Sequence, residues 1–360
     1  MSEPLRILLG TDAWHPQTNG VVTTLSNTVR ELRAAGHVVH ILSNRDFPAF
    51  PCPFYPEIHL CLPDAQIIEQ LLEDFEPHHI HLATEGPIGL AVSAICHRRG
   101  IPFTTSYHTD FPAYLHTYLG VPPAVSYPFL RWFHGKAAHT MVATSMVQGE
   151  LERHGFKNIV RWSRGVDTDL FTPAEPPTHD RPVLTCLGRV AAEKNIEAFL
   201  ELDPGFPHHK RVIGAGPMLE TFRAKYASAG VEFCGMLKGK ALAERLADSD
   251  CMVFPSKTDT FGLVILEALA CGVPVAAYPQ PGPVDLLTNP AWGAAHENLE
   301  VAVRLALALG HRDACREKAL HHSWQRCAMQ FLGNLVPTQR PAARPSPIRI
   351  PLPARAAAPA

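Results

Sequence analysis

Two carboxylates eight residues apart, Asp259 and Glu267, stand in the segment Ser256-Lys-Thr-Asp259-Thr-Phe-Gly262-Leu-Val-Ile-Leu-Glu267-Ala-Leu-Ala-Cys-Gly272-Val-Pro274. The order of residue types places Asp259 on a loop after a strand, Gly262 to Val264 at a helix amino terminus, and Glu267 inside that helix. Amides at a helix start bind phosphate oxygens without any side-chain charge. A carboxylate on either side can accept hydrogen bonds from hydroxyls at the two ends of a nucleotide sugar. The plainer alternative makes Glu267 part of an internal network and Asp259 a solvated turn residue.

A second cluster, Gly188-Arg189-Val-Ala-Ala-Glu193-Lys194-Asn195, pairs a guanidinium with an ammonium. Arg offers a planar fork and Lys a point charge, so together they can neutralise a diphosphate without a metal. The competing reading, surface charge at a helix start, is opposed by the helix dipole. Gly214-Ala-Gly216-Pro217 has glycines that let backbone approach a ligand, or it is a turn with no ligand at all. Lys238 follows the glycine of Phe233-Cys-Gly235. In the amino-terminal half, Gly20 closes the loop that begins at Asp12 and precedes a helix, while Trp14 either stacks on a sugar or anchors that loop. Tyr107-His108-Thr109-Asp110 ends a strand, where functional residues gather in open α/β sheets. Glu85, before Gly86-Pro87, either holds an acceptor or satisfies helix-start amides.

Taken together, these segments resemble glycosyltransferase family 4, a group of retaining enzymes with the GT-B fold. The carboxylate pair matches the family's E-x7-E motif with Asp259 in place of the first Glu, and Gly188 to Asn195 matches its G-R-x-x-x-E-K-N turn. Gly214 to Pro217 is similar to its G-x-G-P turn, and Arg164-Gly165-Val166-Asp167 to its G-V-D turn beside the interdomain linker. The loop through Gly20 matches as well, with Asn19 where many members carry a second Gly. The likeness runs from residue 5 to residue 334 and implies roles. His108, Arg189, Lys194 and Asp259 form the catalytic set, with His108 and Asp259 beside the transferred sugar. Gly20, Gly188, Gly214, Gly216, Lys238, Gly262, Leu263, Val264 and Glu267 bind the donor, Glu267 at the ribose and Lys238 near the base. Trp14, Glu85 and Asp110 lie on the acceptor side.

The implied reaction moves a hexose from GDP-mannose or a UDP-hexose to a lipid or glycan hydroxyl, with retention and with no metal or other cofactor. Bacterial α-mannosyltransferases and glycolipid synthases are the nearest members by these motifs. Two rivals remain open: a sugar-nucleotide epimerase on the same architecture, and an inactive nucleotide-sugar-binding protein.

Two doubly wound α/β domains are needed to position these residues. Arg6 to Gly10 reads as a buried strand, Val21 to Ala35 as a helix with Gly36 at its end, and Val38 to Leu42 as the next strand. This βαβ unit is followed by strands at 79–83, 103–107 and 140–143 and helices at 87–98 and 124–138. After the Pro-rich stretch at 172–177, a second alternation begins at Val183. The expected division is a first domain over 1–171, a donor domain over 172–311, a single crossover helix over 312–334, and a disordered tail over 335–360.

With 360 residues the chain is long enough for two cores, and 46% hydrophobic against 18% charged residues suits globular domains. A net charge of −2 gives no footprint for nucleic acid. Nine scattered cysteines without a C-x-x-C suit buried thiols in a reducing cytosol. The apolar run Phe261 to Tyr278 is interrupted by Glu267, Gly272 and Pro274, so it fails as a membrane span. A cytoplasmic protein is expected, with peripheral membrane contact left open. Tyr127 to Lys136, aromatic and basic, is read as a core helix with snorkelling cations rather than a lipid-binding face.

Overall fold

The computed structural model describes residues 3–17, 19–52, 55–108, 112, 120–175 and 178–339. The first part runs β1 (Arg6–Thr11), α1 (Gly20–Ala34), β2 (Val38–Ser43), β3 (Ala49–Cys52), β4 (Tyr55–Cys61), α2 (Ala65–Phe75), β5 (His79–Leu82), α3 (Pro87–Arg99), β6 (Thr104–Tyr107), α4 (Pro123–His134), β7 (His139–Val142), α5 (Ser145–Arg153) and β8 (Ile159–Arg161). The second runs β9 (Val183–Leu187), α6 (Ile196–Leu200), β10 (His209–Ile213), α7 (Leu219–Lys225), β11 (Glu232–Gly235), α8 (Gly239–Ala247), β12 (Cys251–Phe254), α9 (Leu263–Ala270), β13 (Val275–Ala277), α10 (Pro281–Leu286), β14 (Gly293–Ala295) and α11 (Leu299–Leu309). Two helices follow, α12 (Arg312–Leu320) and α13 (Trp324–Asn334).

Each part is one six-stranded sheet, in the orders β2-β1-β5-β6-β7-β8 and β11-β10-β9-β12-β13-β14. Every pairing within them is parallel. The hairpin β3-β4 is antiparallel and separate. Strand order reverses between β1 and β5 in the first sheet and between β9 and β12 in the second. Crevices at the carboxyl ends of those strands are where open α/β sheets take ligands. The candidate residues therefore lie on loops after β1, β5, β6, β9, β10 and β12.

Both faces of each sheet are covered, which is why the strands read as continuous apolar runs. Along β1, Leu8 joins the cluster of Ile68, Val92 and Phe133, while Ile7 and Leu9 join that of Leu25, Trp162 and Phe331. Helix α1 starts where Asn19 Oδ1 accepts from Val22 N at 3.0 Å, and it buries Val22, Leu25, Val29 and Leu32. Seven described cysteines are buried and Cys234 is half-buried, as small core residues.

The expected crossover helix is two helices. The first ends at its C-cap, His321, and Ser323 caps the second, its Oγ accepting from Arg326 N at 3.2 Å. The break lets each helix serve a different core. Cys315 and Ala319 of α12 pack with Leu269 and Val273 of the second domain. Trp324, Cys327 and Phe331 of α13 pack with Trp162 and Leu25 of the first. The return is close: a Cβ on Gly165 would stand 2.6 Å from the Trp324 backbone. The tail also starts later than expected. His79 Nδ1 donates to Val336 O at 2.8 Å, and Thr338 bonds Pro77 O and His78 O, so residues 335–339 are pinned to the amino end of β5. Residues 340–360 lie outside the described residues.

Helix α4 is amphipathic rather than wholly core. Tyr127, Leu130 and Phe133 are buried, whereas Val125, Phe129 and Trp132 are exposed, and Lys136 Nζ lies 3.5 Å from the Trp132 ring centroid. Among the described residues no helix is long and apolar enough to cross a membrane.

Gly165→Ala tests the packing of the return helix. Overpacking should cost about 1–3 kcal/mol, read as a lower urea midpoint at unchanged slope. Gly149→Ala, which meets nothing within 4 Å, should show no loss.

Candidate active site

The donor side is built by backbone lacing between three strand ends. Gly188 N donates to Ile213 O at 3.0 Å, Gly214 N to Gly235 O at 2.8 Å, and Val190 N to Ala215 O at 3.0 Å. A Cβ on Gly214 would fall 1.8 Å from Gly188 O, and one on Gly216 2.3 Å from Val190 O, so these glycines are required by the packing of the loops themselves. Asn195 has φ +53° and closes the turn Ala192–Lys194, while its Nδ2 donates to Pro255 O at 3.0 Å. Thr258 Oγ1 donates to Glu193 O at 3.1 Å. The loops after β9 and β12 are thus held against each other.

That contact brings Lys194 Nζ to 2.6 Å from Asp259 Oδ1. The other oxygen, Asp259 Oδ2, is buried with no hydrogen-bond partner among the described residues. A buried acceptor left without a donor costs about 1–3 kcal/mol, which a ligand hydroxyl would recover. Arg189 Nη1 lies 3.9 Å from Glu193 Oε1 on the same loop. Gly262, with φ +81°, turns the chain into α9, and a Cβ there would strike Phe254 at 2.8 Å. The amides of Leu263 and Val264 then stand in the first turn, where a helix leaves its N–H groups unpaired by its own backbone. One turn further in, burial alone raises Glu267 to about 7. Lys238 is exposed and stands just before α8, next to the β11 end.

The first domain closes the site from the other side. A Cβ on Gly20 would lie 3.9 Å from Leu263 Cδ1, so this loop faces the start of α9. Trp14 is half-buried in the same apolar cluster as Leu263 and Val21, which makes it an anchor of the loop. Thr260 Oγ1 donates to the His108 carbonyl at 2.7 Å. Asp285 accepts from Ser145 N at 2.7 Å, from Ser145 Oγ, and from Arg161 Nη2 at 2.6 Å, a second tie across the cleft. Between these ties lies a solvent-open cavity of ≈ 130 Å³ lined by Tyr107, Glu150, Lys257, Asp259 and Gln280.

One expectation needs correction. Glu85 does not cap α3: its Oε1 pairs with the buried His134 Nε2 at 2.9 Å. Asp12 does that work, accepting from Ile88 N at 2.9 Å and from Thr84 Oγ1 at 2.7 Å. Its role was hidden because the partner amide is 76 residues away. His108 is at the end of β6 as expected, but both ring nitrogens are occupied, Nε2 by Ser106 Oγ at 2.8 Å and Nδ1 by Arg164 Nη2 at 3.2 Å. Asp110 lies outside the described residues.

With this geometry in place, comparison with known proteins can be read. Residues 18–170 match the family description Glycosyltransferase Family 4, and residues 181–308 match Glycosyl transferases group 1. The chain is a glycosyltransferase, with each of its two domains matched by a glycosyltransferase model. It is 26% identical to a GDP-mannose-dependent alpha-mannosyltransferase of Mycobacterium tuberculosis, over 92% of this chain and 96% of that one. A sulfoquinovosyl transferase of Arabidopsis thaliana is 28% identical over 80% of this chain, which spans 62% of that protein. Among solved structures, a sucrose-phosphate synthase of Thermosynechococcus elongatus superposes with a TM-score of 0.73 at 18% identity, covering 91% of this chain and 98% of that one, which shows the shared fold. The two facing parallel-sheet domains are the GT-B arrangement of these enzymes.

Glu267→Gln tests the cost of the buried acid. Its folded value, about 7, lies above the ordinary 4.5, so the unfolded chain loses its proton first and stability falls as pH rises between those values. The variant should lose that slope and gain up to about 3 kcal/mol above it, as a higher melting temperature of the ligand-free protein.

Proposed function

We propose that this glycosyltransferase transfers a hexosyl group, with retention, from a nucleoside-diphosphate sugar to a hydroxyl of a lipid or glycan acceptor. The observation that carries the reading is the Lys194–Asp259 pair with its orphaned, buried Oδ2. That oxygen accepts a hydroxyl of the transferred sugar, while Lys194 and Arg189 lie toward the diphosphate with the amides of Gly262, Leu263 and Val264. Gly20, Gly188, Gly214 and Gly216 let backbone come close to the nucleotide, and Lys238 lies near the base. Glu267 takes the ribose hydroxyls, whose donors offset the cost of its burial. Stabilising the departing diphosphate in a water-poor cleft is the main catalytic term, and cations already fixed in the fold supply it without a metal. The acceptor hydroxyl enters on the face the diphosphate leaves. No protein nucleophile takes part.

GDP-mannose and UDP-hexoses are both candidate donors, and the names of the mannosyltransferase relatives put GDP-mannose first to be tried. A thermal-shift screen with UDP, GDP, ADP and their hexose conjugates decides it, because a ligand that binds only the native state raises its stability by mass action. One nucleotide should raise the melting temperature, and Lys194→Ala should abolish that shift. No response to any nucleotide would remove the donor-site reading.

The outward face of α4 supports a peripheral position at the inner face of the cytoplasmic membrane. Phe129 and Trp132 are stacked with centroids 6.1 Å apart, and Lys136 and Arg131 flank them. Aromatic residues beside cations suit the headgroup region of an anionic bilayer. Co-sedimentation with anionic vesicles should fall about tenfold or more in a Phe129→Ser, Trp132→Ser double variant, whose exposed positions leave folding intact.

A further inference from the structure

Several buried polar groups of the first domain that the donor site leaves unused are joined in one hydrogen-bonded chain. Arg164, only 4% exposed, donates through Nη1 to the carbonyls of Trp162 at 2.7 Å and Ser163 at 3.2 Å. Its guanidinium lies 4.5 Å from the Trp162 ring centroid. Its Nη2 donates to His108 Nδ1 at 3.2 Å. A guanidinium can only donate, so Nδ1 is bare and the ring proton sits on Nε2. Nε2–H donates to Ser106 Oγ at 2.8 Å. The serine hydroxyl in turn bonds His81 Nε2 at 3.1 Å, and His81 Nδ1 bonds Thr104 Oγ1 at 2.9 Å. Thr104 Oγ1–H reaches Ile80 O at 3.4 Å, where the chain ends. Arg164 thus fixes the direction of the two links at His108, while the hydroxyls of Ser106 and Thr104 can turn to suit either tautomer of His81.

Among the described residues, the charged and titratable groups facing His108 are Arg164, His81 and His134, and none of these is acidic. Burial first, and then the Arg164 charge, hold His108 well below the ordinary histidine range. An imidazolium there would also point a second proton at Nη2.

Two further contacts give this chain a consequence. The His108 carbonyl receives Thr260 Oγ1 across the cleft, and Thr260 follows Asp259 in sequence. Arg164 itself stands where the two interdomain crossings touch, since Val166 N donates to His322 O at 2.8 Å and Gly165 lies against Trp324. We propose that Arg164 is a positioning residue for glycosyl transfer: it holds His108 as the neutral Nε2–H tautomer and thereby fixes the carbonyl that anchors the Asp259 loop. Its catalytic consequence rests on the donor-site reading above, but the tautomer itself does not. Hinge and donor loop are then one mechanical unit.

Long-range 15N spectra of histidine-labelled whole protein test the tautomer directly, with His108→Gln used to assign the ring. The expected result is an unprotonated Nδ1 and a protonated Nε2, unchanged between about pH 8 and about pH 5, the span in which free histidine titrates. A protonated Nδ1, or an ordinary titration in that span, overturns the proposal even if every variant is unstable. Arg164→Met tests the consequence by turnover of the nucleotide sugar. Turnover should fall about tenfold or more, with the nucleotide Kd within about twofold, and the kcat profile should gain an acid limb as His108 begins to titrate. An unchanged kcat profile in the folded variant overturns the positioning role. Wild-type protein that turns over no nucleotide sugar would remove the donor reading and leave the tautomer result standing.

Discussion

The ammonium of Lys194 against the carboxylate of Asp259 joins two loops from opposite sides of a strand-order reversal. As a half-exposed ion pair it adds little to stability. Its importance is geometric, because it holds one carboxylate oxygen and leaves the other buried and unsatisfied. Several features exist to bring the two loops within that reach. Gly214 and Gly216 allow the carbonyls of Gly188 and Val190 to pass where a methyl group would collide. Asn195 turns through a left-handed conformation to tie one loop to Pro255. The parallel sheet supplies the rest, since right-handed crossovers deliver both loops to the same edge.

The ligand-free cleft is therefore held in an unfavourable electrostatic condition. Asp259 Oδ2 lacks a donor among the described residues, Glu267 is pushed up by burial, and cations gather nearby. Sites of this kind sacrifice stability for readiness, and the surrounding core keeps them in place. The buried Arg164 belongs to the same pattern: burial lowers it to about 10, and carbonyls and a tryptophan face, rather than a carboxylate, hold it.

What could be read from the sequence was local in its cause. Helix α1 was legible because Gly36 marks its end and its apolar residues repeat every three or four positions. The loops carrying Lys194 and Asp259 were legible because glycines and charges sit at fixed offsets after apolar strands. Interactions that depend on distant partners were not. Asp12 reads as a loop residue until α3 is placed on it, and Glu85 reads as a cap until His134 arrives from α4. The interruption between α12 and α13 leaves only Ser323 as a local signal, within a pattern otherwise continuous enough for one helix. The β3-β4 hairpin, α5 and the short edge strand β14 escaped for a related reason, since brief elements carry too few residues to show a period.

The pinning of Val336 and Thr338 to the start of β5 has a practical side. The amino ends of these parallel strands lie at the edge of the sheet opposite the loops that form the cleft. The described chain therefore leaves the molecule at its back, close to where β1 enters, since His78 Nδ1 accepts from Arg6 N at 3.2 Å. A fluorophore, a surface tether or a fused carrier attached at residue 339 would be joined behind the enzyme, on the side away from its mouth.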